Sequence, residues 1–188
     1  MKRVLVPLAQ GFEEAEFIGI VDVLRRAGVE VLVAGLESAS NIKGANGIEI
    51  KAEVALSSID VDSLDGIALA GGFEGMQNLS NNAKILEIIQ TLHSKGKIVA
   101  AICASPIVLN KAGVLSSEFT CYPGCEEGIN AKRLNEAVVI RDNVITSAGP
   151  ATAILFGLAI TKALMGEDVY NGLYEGLQVP LAKRKLKV

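Results

Sequence analysis

A strand–helix–strand pattern in the first 34 residues constrains the fold of this chain more than any other feature. Residues 3–9 form a short apolar run, as expected of a strand buried on both faces, and Gln10-Gly11 interrupts it. The next apolar residues follow the i, i+3, i+4, i+7 spacing of a helix: Phe17, Ile20, Val21 and Leu24. Gly28 ends this helix at a position that favours a left-handed cap, and residues 29–34 predict a second strand. The segment therefore predicts a right-handed βαβ unit in a parallel sheet.

The same alternation continues further along the chain. Residues 64–70 predict a strand that ends at Gly71-Gly72. A helical stripe then precedes Gly96 and consists of Ile85, Ile88, Ile89 and Leu92. Residues 97–102 predict another strand, which we expect at the centre of the sheet because residues 98–102 include no polar side chain.

Two hairpins and a late helix complete the predicted architecture. Asn46-Gly47 and Asp142-Asn143 each predict a tight turn between two short strands. From Pro150 to about residue 164 the chain predicts a largely buried helix, with proline in its favoured first turn. The pattern as a whole indicates a doubly wound α/β sandwich with an antiparallel edge.

The composition favours one soluble domain over residues 1–188. The 18 basic and 21 acidic residues give a net charge of −3, which argues against a nucleic-acid partner. The basic cluster at residues 183–187 is interpreted as a solvated tail. The longest uncharged stretch, residues 143–161, contains serine, glycine and proline, so no membrane span is predicted. Three cysteines without an export signal predict a cytoplasmic protein with free thiols.

Three loops follow predicted strands at the carboxyl edge of the sheet, where open α/β folds bind their ligands: residues 10–13, 71–74 and 103–106. Cys103 directly follows a buried strand and precedes the start of a helix. Such an elbow presents a nucleophile, and the helix N-terminus favours the thiolate, so we expect a Cys103 pKa below the ordinary value. The alternative is a buried structural cysteine.

Glutamates beside the first loop are candidate partners of this thiol. Glu13 and Glu16 lie one helical turn apart, and Glu14 is interpreted as a helix-dipole partner. An ionised carboxyl would raise the pKa of a neighbouring cysteine. A protonated carboxyl that donates to the sulfur would instead stabilise the thiolate, and it could act as general acid and base.

Residues 71–75 lack both the G-x-G-x-x-G and the P-loop spacing, so they give little support to a phosphate site. We instead interpret the paired glycines as a source of backbone N–H donors. An N–H group of this loop and that of Ala104 would form an oxyanion hole. Cys121, Cys125 and the single histidine, His93, provide too few ligands for zinc, so no metal is predicted.

Six segments, in their order and spacing, resemble the ThiJ/PfpI family and most of all its Parkinson-disease-protein (DJ-one) deglycase branch. They are GFEEAE at 11–16, VDVLRRAG at 21–28, AGG at 70–72, QNL at 77–79, AICA at 101–104 and TSAGP at 146–150. The resemblance spans about residues 3–163. It implies a flavodoxin-like three-layer α/β sandwich, with a mostly parallel sheet and helices on both faces. It also implies a reactive Cys103, a Glu16 that donates a hydrogen bond to its sulfur, and backbone donors at Gly72 and Ala104.

The chain departs from the family pattern around the expected pocket. Ala104 stands where the protease-like and chaperone-like branches place histidine, so a peptidase is not expected. Tyr122 precedes Pro123 where some members of the close branch carry histidine, and Ala148 replaces an arginine. With Glu13, these residues are expected to form the pocket rim, and the changes put anion binding there in doubt.

The resemblance implies two functions that use the same residues. One is glyoxalase or deglycase activity on methylglyoxal, another small aldehyde or glycated adducts, without a cofactor. The other is a redox sensor or stress chaperone in which Cys103 oxidises to a sulfinate. A thiamine-linked role, suggested by the ThiJ name, has no support in a phosphate site. The resemblance also implies a homodimer through the first helix, where Ala15 and Gly19 would let a second helix approach.

Overall fold

Strands and helices alternate along the chain in this computed structural model, which describes residues 1–115 and 117–182. The basic cluster interpreted as a solvated tail lies outside the described residues. The strands are β1 (Arg3–Leu8), β2 (Glu30–Gly35), β3 (Asn41–Lys43), β4 (Glu49–Lys51), β5 (Val54–Ala55), β6 (Gly66–Leu69), β7 (Ile98–Ile102), β8 (Glu118–Phe119), β9 (Lys132–Arg133), β10 (Val138–Arg141) and β11 (Val144–Ser147). The helices are α1 (Glu14–Arg26), α2 (Phe73–Ser80), α3 (Ala83–Ser94), α4 (Pro106–Lys111), α5 (Ala153–Met165), α6 (Glu167–Gly176) and α7 (Val179–Ala182).

Seven strands form the main sheet, in the order β10-β11-β7-β6-β1-β2-β5. Every neighbouring pair is parallel except β10–β11. Helices α1 and α5 cover one face, with Phe17 and Phe156 in the core beneath them. Helices α3 and α4 cover the other face, with Ile88 and Val108 in that core. This three-layer arrangement confirms the predicted mostly parallel α/β sandwich with an antiparallel edge.

The first βαβ unit forms where the sequence pattern predicts it. The predicted apolar stripe of α1 is buried: Phe17, Ile20, Val21 and Leu24. The Glu13 carboxylate accepts the Glu16 N–H at 2.7 Å and caps the helix start. At the other end, Gly28 has φ +77°, the left-handed conformation that favours glycine. The apolar spacing and the two ends of this helix were therefore all visible in the sequence.

The other predicted elements are present with small differences. Strands β3 and β4 pair around Asn46-Gly47, and β10 and β11 pair around Asp142-Asn143. The late helix begins with a 3₁₀ turn at Pro150–Thr152, before α5. The middle position of the sheet belongs to β6, and β7, which we expected there, lies directly beside it. Among the described residues, no helix is both long and apolar enough to span a bilayer.

The expected role of Gly19 is wrong. A Cβ atom on Gly19 would lie 2.7 Å from the Ala153 Cβ, so Gly19 packs against α5 of its own chain. On α5, a Cβ atom on Gly157 would lie 2.8 Å from the Val23 Cβ. These two glycines let α1 and α5 lie side by side, and Gly19 is buried rather than available to a second protomer. Ala15 is exposed, as expected.

Candidate active site

Cys103 occupies the sharp turn between β7 and α4. Its backbone has φ +62°, a left-handed conformation that is strained for a residue with a Cβ atom. Its N–H donates to the Ser147 carbonyl and its own carbonyl accepts the Tyr122 N–H, both at 3.0 Å. The side chain is 8% exposed. The predicted elbow is therefore present, and neighbouring backbone holds its strained residue in place.

Glu16 reaches this elbow from the first turns of α1. Its side chain is fully buried and interacts directly with the Cys103 thiol. Its Oε2 atom accepts the Gly71 N–H at 2.7 Å. Its Oε1 atom is buried and has no hydrogen-bond partner among the described residues. A buried carboxylate oxygen without a donor is costly, so this environment favours a protonated carboxyl.

The close approach of these groups requires glycine at position 71. A Cβ atom there would lie 2.7 Å from both the Cys103 Cβ and the Glu16 Oε2 atom, which is too close for either contact. Gly72 follows with φ +86°, and a Cβ on it would collide with the Gly11 carbonyl. The two glycines thus bring the loops after β1, β6 and β7 together, as their shared position at the sheet edge predicted.

Two backbone N–H groups act on the charge of the thiol. Those of Gly72 and Ala104 both lower the pKa of Cys103. The family resemblance implies these same two donors, and their role at the site stays a prediction. N–H groups that favour a charged sulfur would also stabilise negative charge on an oxygen attached next to it.

The pKa values of the pair are strongly coupled. Burial raises the pKa of Glu16 to about 7, and the hydrogen bonds with Gly71 and Cys103 offset only part of that effect. Burial also raises the pKa of Cys103, and an ionised Glu16 raises it further. The expectation of a lowered Cys103 pKa is therefore wrong, because burial and the charge of Glu16 outweigh the two backbone donors. Only protonation of Glu16 removes its negative charge and lets the carboxyl donate to the thiolate.

Glu14 has a larger role than the helix-dipole partner expected from the sequence. It is 4% exposed, and its carboxylate accepts the Asn46 N–H at 2.7 Å, the Asn46 Nδ2 group at 2.9 Å and the Ile48 N–H at 3.3 Å. Burial raises the pKa of Glu14, but these hydrogen bonds outweigh it and lower the pKa overall. Glu14 therefore fastens the β3–β4 hairpin to the start of α1. Local sequence contains no signal for a contact with residues 46–48.

Ser105 was also missed as a site residue. It is fully buried, and its hydroxyl donates to the Ala70 carbonyl at 2.6 Å. Ala70 directly precedes the paired glycines, so this hydrogen bond ties the start of α4 to the loop after β6. The residue order Cys-Ala-Ser-Pro placed a hydroxyl near the helix start, but only the tertiary fold supplies its partner.

The expected rim residues lie at different depths. Tyr122 is 44% exposed and Pro123 is exposed, whereas Ala148 and Glu13 are half-buried. Tyr122 adjoins the elbow through its N–H bond to the Cys103 carbonyl. The Ala148 N–H donates to the Ala137 carbonyl at 3.2 Å. Glu13 caps α1, and its negative charge contributes to the raised pKa of Glu16.

The remaining thiols are separate from this cluster. Cys121 and Cys125 are free and buried, and the Cys121 sulfur lies 3.7 Å from the Glu126 Oε2 atom. Burial raises the pKa of Cys121 to about 12 and also raises that of Cys125. Among residues 1–115 and 117–182, no three histidine, cysteine, aspartate or glutamate side chains are grouped to hold a metal ion.

Comparison with known proteins gives the evolutionary context of this site. Residues 2–163 match the DJ-1/PfpI family, which covers the whole sheet and every site residue described above. The chain belongs to the DJ-1/PfpI family. Drosophila melanogaster protein dj-1beta is 37% identical over 182 residues, covering 95% of this chain and 97% of that protein. The family resemblance seen in the sequence motifs is thereby confirmed.

Solved structures of DJ-1 proteins have the same fold as this DJ-1/PfpI member. Drosophila DJ-1beta superposes with a TM-score of 0.90 at 36% identity, covering 94% of this chain and 97% of that one. The structure of "Toxoplasma gondii DJ-1, oxidized" gives a TM-score of 0.88 at 34% identity, covering 95% and 98%. The flavodoxin-like α/β fold is confirmed.

One relative is named for an activity. The Caenorhabditis elegans protein "Glutathione-independent glyoxalase DJR-1.2" is 38% identical over 168 residues, covering 88% of this chain and 89% of that protein. DJ-1/PfpI relatives of this chain thus include a glyoxalase. The roles of Cys103, Glu16 and the backbone donors in this chain stay predictions.

Proposed function

We propose that this protein is a cofactor-independent glyoxalase that converts methylglyoxal, or a related small aldehyde or glycated adduct, to a hydroxy acid. The observation that carries the proposal is the buried Glu16 carboxyl beside Cys103, with Gly71 packed between the two side chains and the Gly72 and Ala104 N–H groups lowering the pKa of the thiol. These groups supply a nucleophile, a proton carrier and an anion site within one small volume. The name of the nematode relative supports this reaction class.

The first step is addition of the thiolate to the aldehyde. With Glu16 protonated, the Cys103 sulfur forms a bond to the aldehyde carbon, and the carbonyl electron pair moves to oxygen. The N–H groups of Gly72 and Ala104 stabilise this oxyanion. Glu16 then gives its proton to the oxygen, which produces a neutral hemithioacetal and leaves Glu16 as a carboxylate.

The second step is a proton transfer between adjacent carbons. The Glu16 carboxylate removes the hydrogen from the former aldehyde carbon and returns it to the neighbouring carbon, while the hydroxyl proton passes from the oxygen of the first carbon to that of the second, giving a thioester of lactate on Cys103. Water then cleaves the carbon–sulfur bond of the thioester, and lactate and the free thiol are released. A Glu16 pKa of about 7 suits both directions of transfer, because both forms of the carboxyl are populated near neutral pH.

Peptide hydrolysis does not fit this site. An amide needs a proton donor for its poor amine leaving group, and Ala104 occupies the position where histidine would supply it. An aldehyde needs no such donor, because addition expels no leaving group. We therefore expect no cleavage of peptide substrates.

Lactate formation by the purified protein tests the proposal. Wild type should form lactate from methylglyoxal in the presence of EDTA and without glutathione, and Cys103→Ser should abolish the reaction. Cys121→Ser is the matched control, and it should keep the activity because Cys121 lies outside the thiol–carboxyl cluster. Equal, background-level activity in wild type and Cys103→Ser would overturn the proposal.

A redox-sensor role is the second candidate, because the same donors would hold a sulfinate. Two equivalents of hydrogen peroxide would convert the Cys103 thiolate to a sulfinate with release of two waters. The N–H groups of Gly72 and Ala104 and a protonated Glu16 could all donate to its oxygens. If wild type makes no lactate but Cys103 alone gains two oxygens under mild peroxide, as read by peptide mass spectrometry, the sensor role replaces the enzyme.

A further inference from the structure

A polar cleft of about 420 Å³ opens at the same edge of the sheet as Cys103 but apart from it. It lies over the ends of β1 and β2, between the loop after β2 and the α2–α3 connection. None of its lining residues belongs to the thiol–carboxyl cluster. Its volume is at the small end of the range for ligand sites, and open α/β sheets bind ligands at this edge.

Carboxamides dominate the lining of this cleft. Five side-chain amides surround it: Gln10, Asn41, Asn78, Asn81 and Asn82. Ser38 and Ser40 add hydroxyls, and the base is apolar, with Leu36 and Ile42 among its residues. Glu37 is the one charged residue among the described lining residues.

Four of these amides make hydrogen bonds with described residues, and each uses only its oxygen or only its NH₂ group. Asn81 Oδ1 accepts from the Lys111 ammonium at 3.4 Å, outside the lining itself. Gln10 Oε1 accepts the Lys43 N–H at 3.3 Å, which orients the amide and leaves its NH₂ group as a donor. Asn82 Oδ1 caps α3 by accepting the Ile85 N–H at 3.1 Å, with the same consequence. Asn78 is reversed, because its NH₂ group donates to the Gln10 carbonyl at 2.9 Å and its oxygen stays available as an acceptor.

This arrangement selects among ligand classes. Fixed donors and acceptors side by side match hydroxyl groups, each of which both donates and accepts. The described lining contains no lysine or arginine to neutralise a phosphate and no aromatic ring to stack on a base. The apolar base suits the carbon-bound hydrogens of a sugar.

We propose that this cleft binds a neutral polyhydroxylated molecule the size of a monosaccharide. The Gln10 and Asn82 NH₂ groups donate to its hydroxyls, and the Asn78 oxygen accepts from them. The site is independent of the proposed glyoxalase reaction, because the two sites share no residue.

Side-chain amide signals in ¹⁵N-edited NMR spectra test the proposal directly. Glucose and sorbitol serve as ring and open-chain probes, and inorganic phosphate and AMP serve as probes of the excluded classes. We expect glucose or sorbitol to shift the amide signals of Gln10, Asn78 and Asn82 saturably, and phosphate and AMP to leave them unshifted.

Amide-to-acid substitutions supply the matched variants. Gln10→Glu with Asn82→Asp keeps both structural acceptors but removes both free donors, so binding should weaken at least about tenfold. Asn171→Asp, the same chemical change on the exposed face of α6, should leave binding unchanged. The proposal is overturned if neither polyol gives saturable shifts, if the shifts map elsewhere, if phosphate or AMP binds the cleft instead, or if the double variant binds like wild type.

Discussion

Glu16 accepts a hydrogen bond from the Gly71 N–H at 2.7 Å, so the carboxyl that faces the thiol is anchored to the loop that supplies the Gly72 donor. The anchor fixes one oxygen and leaves the other buried without a donor. A proton on this second oxygen therefore decides whether the site opposes or stabilises a thiolate.

The stability of the protein should fall as the pH rises through the titration range of Glu16. The pKa of this group is about 7 in the folded state against about 4.5 when unfolded, so the folded state binds more protons between these values. Relative to Glu16→Gln, the wild-type free energy of unfolding should decrease by on the order of 3 kcal/mol between about pH 4 and pH 8. Urea denaturation across this range measures the difference. Parallel curves for the two proteins would contradict the assignment.

Glu16→Gln should also separate thiol chemistry from proton transfer. Gln stays neutral at all pH values, so the Cys103 thiol should titrate in one step, whereas the wild-type pair should titrate in two coupled steps. Lactate formation should fall by about 10²–10⁴-fold, because the amide cannot carry a proton between carbons. Iodoacetamide rates against pH and a lactate assay give both readouts. Superimposable pH profiles for wild type and Glu16→Gln would show that Glu16 has a purely structural role.

Cys103 should be the first of the three cysteines to react. It is 8% exposed, against 0% and 4% for Cys121 and Cys125. The N–H groups of Gly72 and Ala104 lower its pKa, and the Arg133 guanidinium does the same for the less accessible Cys121. Thiolate reactivity depends on access and on stabilisation of the anion. Peptide mass spectrometry after timed iodoacetamide labelling gives the order, with Cys103→Ser as control. Equal labelling of all three would contradict the prediction.

At the elbow, glycine should stabilise the folded protein at least as well as alanine, although glycine is usually the less stabilising of the two. Cys103 has φ +62°, which costs about 1–2 kcal/mol for a residue with a Cβ atom and nothing for glycine. Cys103→Gly should therefore be at least as stable as Cys103→Ala in chemical denaturation. Ala101→Gly in β7 is the control, and it should destabilise the protein by about 0.5–1 kcal/mol or more. A Cys103→Gly variant clearly weaker than Cys103→Ala would mean that the elbow stores no strain.

The protein should form a homodimer through the outer face of α1. Ala15 is exposed there, and Ile18 is 51% exposed despite its apolar side chain. Light scattering should give about twice the chain mass of 19.7 kDa, and Ile18→Glu should reduce it to one chain. Ile140→Glu, the same change at a 46% exposed site on β10, should leave the dimer intact. A wild-type mass of one chain would refute this interface.

Local pattern was sufficient for most of the fold and for the core of the candidate site. The buried stripes of α1 and α3 and the strands they connect follow from side-chain periodicity, which is a property of neighbouring residues. The position of Cys103 follows from a strand that runs directly into a helix start. Gly71 and Gly72 were recognisable because paired glycines after a buried strand permit close approach of another backbone.

Longer-range contacts were not accessible in this way. The sequence places Gly19 outside the apolar stripe of α1 and so predicts a contact with a second protomer, yet α5 fills that space. Glu14 was assigned to the helix dipole, yet its carboxylate binds a hairpin about 32 residues away. The thiol pKa was expected to fall, because the helix N-terminus was visible in the sequence and the burial of the whole pair was not.

The sequence by itself therefore determined the α/β class and the position of Cys103 at the elbow, which depend on residue order and on periodicity within one element. Motifs spread along the chain indicated the family, and the choice of Glu16 over Glu13 as the predicted partner of the thiol came from that resemblance. The tertiary structure alone decided the coupled pKa values of Cys103 and Glu16, the packing of Gly19 and the amide-lined cleft. It also decided the hydrogen bonds between the β3–β4 hairpin and the Glu14 carboxylate. Each of these depends on burial or on contacts between segments far apart in the chain. Desolvation and packing are properties of the assembled layers, so no local sequence pattern predicts them.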